Sequence, residues 1–158
     1  MIGRSIRSME PGDRDTVIQL LAASDPWKTL GYHEGDWRRI FCPIPVGREC
    51  FVAHADGRIA GVAIIRSKFL VGDYLELLGV ADWARNQGTG TQLLEHVESL
   101  VFARTTNLFA CVSDFNQGAR DFYRKMGYQE IGPMPNFLIP GSAEILLRKT
   151  SGPARTGQ

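Results

Sequence analysis

Apolar residues along this chain switch between a two-residue and a helical rhythm, and the switches mark the elements. Ser5 to Met9 reads as a short opening strand, closed by Pro11-Gly12-Asp13. Asp13 or Asp15 then caps a helix that carries Val17, Ile18 and Leu21 on one side. Proline biases the residue before it away from helical geometry, so Ser24-Asp25-Pro26-Trp27 ends that helix. The stretch up to Gly47 is irregular, with a short helix expected around Asp36–Phe41. Glu49–Ala55 and Arg58–Arg66 read as two strands joined by an Ala55-Asp56-Gly57 turn, and a third runs from Asp73 to Val80. A periodic helix follows Gly90, with Leu93, Leu94, Val97, Leu100 and Val101 on its apolar face. Asn107–Val112 is a continuous apolar run, expected as a strand buried on both faces. Asn116 caps a helix with an inner stripe of Ala119, Phe122, Tyr123 and Met126, and Gly127 stands at its C′ position. Tyr128–Ile131 and Ala143–Arg148 close the sheet.

This order is β-α-(α)-β-β-β-α-β-α-β-β. Hairpins around Asp56 and near Gly72 make neighbouring strands antiparallel, so the fold class is α/β (α+β) with a mixed sheet rather than a doubly wound one. With 158 residues, one domain over 1–149 is expected, with 150–158 as a disordered tail. Apolar residues at 44% and charged residues at 22% describe a soluble globular chain. Eighteen basic against 17 acidic residues leave a net charge of +1, which argues against a dedicated nucleic-acid or anionic-membrane surface. The opening MIGRSIRSMEPGD has no apolar signal core, and Cys42, Cys50 and Cys111 fall in no metal-ligand spacing. A cytoplasmic location, reduced thiols and no metal are the expectations.

The first chemistry lies at Arg85-Asn86-Gln87-Gly88-Thr89-Gly90, between a strand and the periodic helix. The first amides of a helix have no internal partner, and the helix dipole adds positive charge there. Gly88 and Gly90 bare the backbone, and Arg85 adds a cation; alternatively, the glycines make only a tight turn. The Walker pattern fails for lack of a following Lys-Ser or Lys-Thr, and a dinucleotide fingerprint fails because Leu93 stands where the third glycine belongs.

Leu78-Gly79-Val80, Arg85-x-x-Gly88-x-Gly90, Asn116 and the run Phe122-Tyr123-Arg124-Lys125-Met126-Gly127-Tyr128 together resemble the GNAT superfamily of acetyl-CoA-dependent N-acetyltransferases. The resemblance is specific from Tyr74 to Gly132 and looser over the rest. It implies six to seven strands flanked by about four helices, with acetyl-CoA as acetyl donor. It further implies that Arg85, Asn86, Gln87, Gly88, Thr89, Gly90 and Thr91 cradle the coenzyme A diphosphate. Main-chain groups of Leu78 and Val80 would pair with the pantetheine arm as an added strand. Gly79 fits there, since an interior strand glycine marks a bulge or a close approach. Asn116 would touch the same arm, cap its helix, or do both. Many members carry Gly and a basic residue where this chain has Asn86 and Gln87. Asn tolerates left-handed geometry, but Gln87 removes one cation from the site.

The resemblance implies direct attack of an amine on the thioester. Glu76 is then the candidate base, against the reading of a solvent-facing or ion-paired strand glutamate. Tyr123 matches the family tyrosine that protonates or holds the departing sulfur, and its stripe also suits packing. No covalent intermediate is needed, so Cys111 is expected as a small core residue. Trp27, Tyr32, Trp37 and Phe41, with Asp25, Glu34 and Asp36, could form an aromatic, acidic acceptor pocket, with Phe137 closing it; packing competes for at least two of the four aromatics. The acceptor is a small molecule, peptide terminus or lysine. The alternative is a catalytically weak acyl-CoA sensor. Edge strands near the carboxyl end are able to pair in a homodimer, though nothing requires it.

Overall fold

The structure is a computed structural model that describes residues 3–44 and 46–155. Seven strands form one sheet in the order β1-β2-β3-β4-β5-β7-β6: β1 Ser5–Ser8, β2 Arg48–Ala55, β3 Arg58–Arg66, β4 Asp73–Val80, β5 Asn107–Ser113, β6 Gln129–Pro135 and β7 Ala143–Thr150. Four α-helices accompany them: α1 Arg14–Ala22, α2 Glu34–Phe41, α3 Thr89–Val101 and α4 Gln117–Lys125. The expected element order is the observed one. The largest shift is at β6, which runs on to Pro135 where an end at Ile131 was expected; α2 starts two residues early because His33 and Asp36 form a reciprocal cap. The chain divides into two compact units, one of residues up to Ile65 with Leu77–Val97, the other of Arg66–Glu76 with everything from Glu98 on.

In the first unit, β1 pairs antiparallel with β2, Ser5 opposite His54 and Ser8 opposite Phe51. Asp56 and Gly57 are both left-handed, as a two-residue hairpin turn between twisted strands requires. The core joins Val17, Ile18 and Leu21 of α1 to Trp37 and Phe41 of α2 and to Val52, Val62, Ile64 and Leu77 of the strands. Asp13 ties β1 to the start of α1. Its carboxylate accepts two hydrogen bonds from Arg7 (2.7 and 2.9 Å) and one from the Glu10 amide (2.7 Å). Asp13 is thus spatially the N-cap residue of α1, but its side chain serves β1 and the preceding turn instead of the helix amides. On α3, Leu93, Leu94, Val97 and Val101 are fully buried. Leu100 is not; it is 37% exposed, because the other four already fill the buried stripe.

In the second unit, β4 runs parallel to β5 from Asp73–Leu108 to Leu75–Ala110, and β5 and β6 each pair antiparallel with β7. The apolar run on β5 hides an alternation. Leu108, Ala110 and Val112 pack with Ile145 and Leu147 in a buried apolar layer. Phe109, Cys111 and Ser113 point to the opposite face. The segment 150–158, expected as a disordered tail, begins as the end of β7. Thr150 Oγ1 and the Ser151 amide both donate to the Thr106 carbonyl, while residues 156–158 lie outside the described residues. Among the described residues no helix is long and apolar enough to cross a membrane, and no group of three or more His, Cys, Asp or Glu could hold a metal ion.

Candidate active site

The turn before α3 owes its shape to two left-handed residues. Asn86 has φ 58° and Gly88 φ 86°, so Asn does take the geometry expected of it. Left-handed residues alternating with ordinary ones turn successive amides toward one side, and α3 adds its free N-terminal amides and partial positive charge there. Thr89, the first residue of α3, is 3% exposed, and its buried hydroxyl oxygen has no hydrogen-bond partner among the described residues. The Gln87 amide donates to the Trp83 carbonyl (3.0 Å), so this side chain braces the turn. Arg85 is engaged as well, by Asp82 at 3.2 Å and the Asp25 carbonyl at 3.4 Å.

Gly79 has a reason that the sequence did not disclose. A Cβ there would stand 2.9 Å from Leu21 Cδ2 and 3.2 Å from Trp27 Cη2, so the close approach is made by the chain's own α1 and following loop. Gly61 on β3 likewise lets Leu93 and Thr89 of α3 lie against the strand, its absent Cβ being 2.8 Å and 3.3 Å from them. Along β4 the residues Asp73, Leu75, Leu77 and Gly79 are buried, while Tyr74, Glu76, Leu78 and Val80 are half-buried. Trp27 packs edge-on to Trp37 (5.6 Å) and Tyr32 stacks on it (5.2 Å). Trp37 at 2% exposure and Phe41 at none are core residues; Trp27 and Tyr32 keep part of their surface. Packing therefore accounts for two of the four aromatics proposed for an acceptor pocket, and Phe137 lies exposed in the second unit.

Glu76, Asn116 and Tyr123 belong to the second unit. Asn116 does cap α4, its Oδ1 accepting from the Ala119 amide at 3.2 Å. Tyr123 is buried, and among the described residues no protein group hydrogen-bonds its hydroxyl. Burial and then the neighbouring Cys111 raise the phenol above its ordinary pKa, so it holds its proton. Glu76 Oε1 accepts from Arg66 at 3.1 Å, realising the ion pair considered for it. Cys111 is not a plain core residue. It is half-buried and faces Tyr74, and burial raises its thiol pKa, which leaves it a poor nucleophile. Glu144, opposite Ser113 in the β5–β7 register, was missed altogether. It is 7% exposed, accepts from Ser113 Oγ at 2.6 Å, and burial raises its carboxyl pKa, with Asp114 adding to the rise. Strand alternation places Tyr74, Glu76, Cys111, Ser113 and Glu144 on one face. His96 of α3 is half-buried edge-on to Phe51 at 5.0 Å.

The family model described as the acetyltransferase (GNAT) family matches residues 15–128, most of the chain. The chain belongs to the GNAT family of acetyltransferases. An uncharacterized N-acetyltransferase of Methanocaldococcus jannaschii is 34% identical over 63% of the chain and 65% of its own length. The 5-NmdU N-acetyltransferase of Pseudomonas phage PaMx11 is 34% identical over 51% of the chain and 57% of its own. The matches thus span about two-thirds or less of these relatives. The ribosomal-protein-S18-alanine N-acetyltransferase of Escherichia coli shares the fold at TM-score 0.79 and 20% identity, covering 99% of each chain. An aminoglycoside 6′-N-acetyltransferase solved with coenzyme A does so at 0.79 and 19%, covering 96% of this chain and 99% of its own.

Acetyl-CoA is the donor of GNAT acetyltransferases, and this chain's residues fit it. The left-handed Asn86 and Gly88, the bare helix start and the unpartnered Thr89 hydroxyl suit a diphosphate that the turn does not otherwise satisfy.

Proposed function

We propose that this GNAT chain is an N-acetyltransferase that moves an acetyl group from acetyl-CoA directly to a primary amine. Asn86, Gln87, Gly88, Thr89, Gly90 and Thr91 hold the diphosphate, mainly through main-chain amides, with Arg85 at the rim. Leu78 and Val80 lie beyond the three residues by which β4 is registered with β5, and their main chain lines up the pantetheine. Asn116 touches that arm from the cap of α4. When bound, acetyl-CoA supplies the thioester whose C–S bond the amine displaces. Glu76, directly or through water, takes the proton that the ammonium must lose, while Arg66 holds the carboxylate in position. Tyr123 gives its proton to the departing sulfur.

The observation that carries this reading is Tyr123, a buried residue whose protonated hydroxyl bonds to no protein group among the described residues and is left free to serve a departing thiolate. Two carboxylates on one face, Glu76 and Glu144, favour a cationic acceptor. Trp27 and Tyr32 offer aromatic surface, backed by Trp37. The test is titration of acetyl-CoA by calorimetry, followed by thiol release across small amines, peptide termini and lysine peptides. Saturable binding below about 1 mM, worth more than about 4 kcal/mol, and amine-dependent thiol release are expected. No binding at that concentration would refute the proposal. Binding without turnover on the whole panel would make the chain an acyl-CoA-binding module instead.

A further inference from the structure

The diphosphate turn is short of available positive charge. Gln87 is uncharged and bonded to the Trp83 carbonyl, and Arg85 is paired with Asp82. A different cation reaches the turn from far away in sequence. Arg4 immediately precedes β1, and the pairing of Ser5 with His54 fixes the point from which its side chain departs. Its Nη1 lies 3.2 Å from the place a Cβ on Gly88 would occupy. Arg4 is exposed, and among the described residues no carboxylate pairs with it. Next to Gly88 in the chain, Thr89 carries a buried, unpartnered hydroxyl.

We propose that Arg4 is a coenzyme A-binding residue, which supplies to the diphosphate the cation that Gln87 does not. This rests on the reading that the turn holds coenzyme A. Gly88 then has two functions. Its positive φ shapes the turn, and its missing side chain leaves the guanidinium access to the same space as the amides. A guanidinium can present two parallel N–H donors to phosphate oxygens, which an ammonium cannot.

The test compares wild type, Arg4→Gln and Arg4→Lys by calorimetry, at low and at high salt, with coenzyme A, 3′-dephospho-coenzyme A and pantetheine. Arg4→Gln should weaken coenzyme A and its dephospho form alike, by about tenfold at low salt, and flatten the salt dependence. Pantetheine, which lacks the diphosphate, should bind as to wild type, and Arg4→Lys should recover part of the loss. Coenzyme A affinity within twofold of wild type at low salt would overturn the proposal. So would a loss confined to ligands bearing the 3′-phosphate, which would place Arg4 on that group, or an equal loss for pantetheine, which would mark a general disturbance. Failure of wild type to bind coenzyme A would remove the reading of the turn itself, a result distinct from all of these.

Discussion

Asp13 in the first unit and Glu144 in the second are carboxylates of nearly equal burial, 9% and 7% exposed, but the chain treats them in opposite ways. Asp13 meets a two-pronged Arg7, which, with the Glu10 amide, outweighs burial and brings its pKa from 3.8 to about 2. Glu144 has a serine hydroxyl and no adjacent cation in the pairings described, so burial prevails and its pKa rises. The first acid adds stability at neutral pH, whereas the second subtracts from it. Near-equal burial thus tells little about a carboxylate until its counter-charge is known. On the face of β4, β5 and β7 that bears both acids, Glu76 has Arg66 as its counter-charge, whereas Glu144 has none in the pairings described, and such a carboxyl is a pattern common at sites of chemistry.

The largest expected effect sharpens the same contrast between two tyrosines. Tyr128 donates to Glu98 at 2.9 Å, with Lys149 bonded to the same carboxylate, whereas Tyr123 donates to no protein group among the described residues. Tyr123→Phe should lower kcat by about 100-fold or more, with coenzyme A affinity and urea stability close to wild type. Tyr128→Phe should do the reverse, losing about 1 kcal/mol of stability with its hydrogen bond to Glu98, which Lys149 still holds at both oxygens, and leaving the chemical step intact. Steady-state kinetics and urea melts of both variants decide it. Normal turnover in Tyr123→Phe would end the general-acid role.

What the sequence disclosed, and what it hid, follows from range. The turn before α3 was legible because its demands are local: Asn86 and Gly88 must be left-handed, and a helix must start behind them. Asn116 and Gly127 were legible as caps for the same reason. Arg4 was not, because only the β1–β2 pairing brings it to Gly88. Glu144 was not, because a lone acid at the start of a strand shows nothing about burial until Ser113 is registered opposite it. Cys111 was misread as core since a cysteine and a phenylalanine interrupt the polar alternation of β5 without looking polar. Gly79 was read as marking a bulge or a close approach, but that Leu21 and Trp27 make the approach could not be named from the sequence. In the acceptor segment, aromatic composition could not separate the buried Trp37 and Phe41 from the half-buried Trp27 and Tyr32.

A middle-sized effect is expected at Asp13. Its pKa is lowered in the folded chain, so its contribution is fully present above the unfolded value of 3.8 and disappears as pH falls through about 2. That difference corresponds to at most about 2.5 kcal/mol; Arg7 is 37% exposed, and water screening reduces it to about 1–2 kcal/mol. Asp13→Asn should therefore lose about 1–2 kcal/mol at pH 7, and the gap to wild type should narrow as pH is lowered from 5 toward 2. A gap of the same size at both ends would show that the carboxylate acts through shape rather than charge.

The smallest effect runs in the opposite direction, at Glu144. A carboxyl whose folded pKa is raised binds its proton more tightly in the native state. Stability is therefore greatest below the unfolded value near 4.5, declines as pH rises through the folded value, and stays reduced above it. Ser113, Cys111 and Tyr74 of β5 and β4, with Asp114 just after β5, interact with this carboxyl, and none of them is a cation. Gln accepts the Ser113 hydrogen bond without carrying a charge, so Glu144→Gln should gain on wild type between pH 4 and pH 7, by less than about 1 kcal/mol. The difference between the two proteins cancels every other titrating group, which makes so small an effect readable in urea melts. If the same carboxylate also attracts a cationic acceptor, the variant should raise KM for the amine by a few-fold while leaving coenzyme A affinity unchanged. A pH-independent stability difference would mean that Glu144 bears no uncompensated charge, and the contrast with Asp13 would then be one of geometry alone.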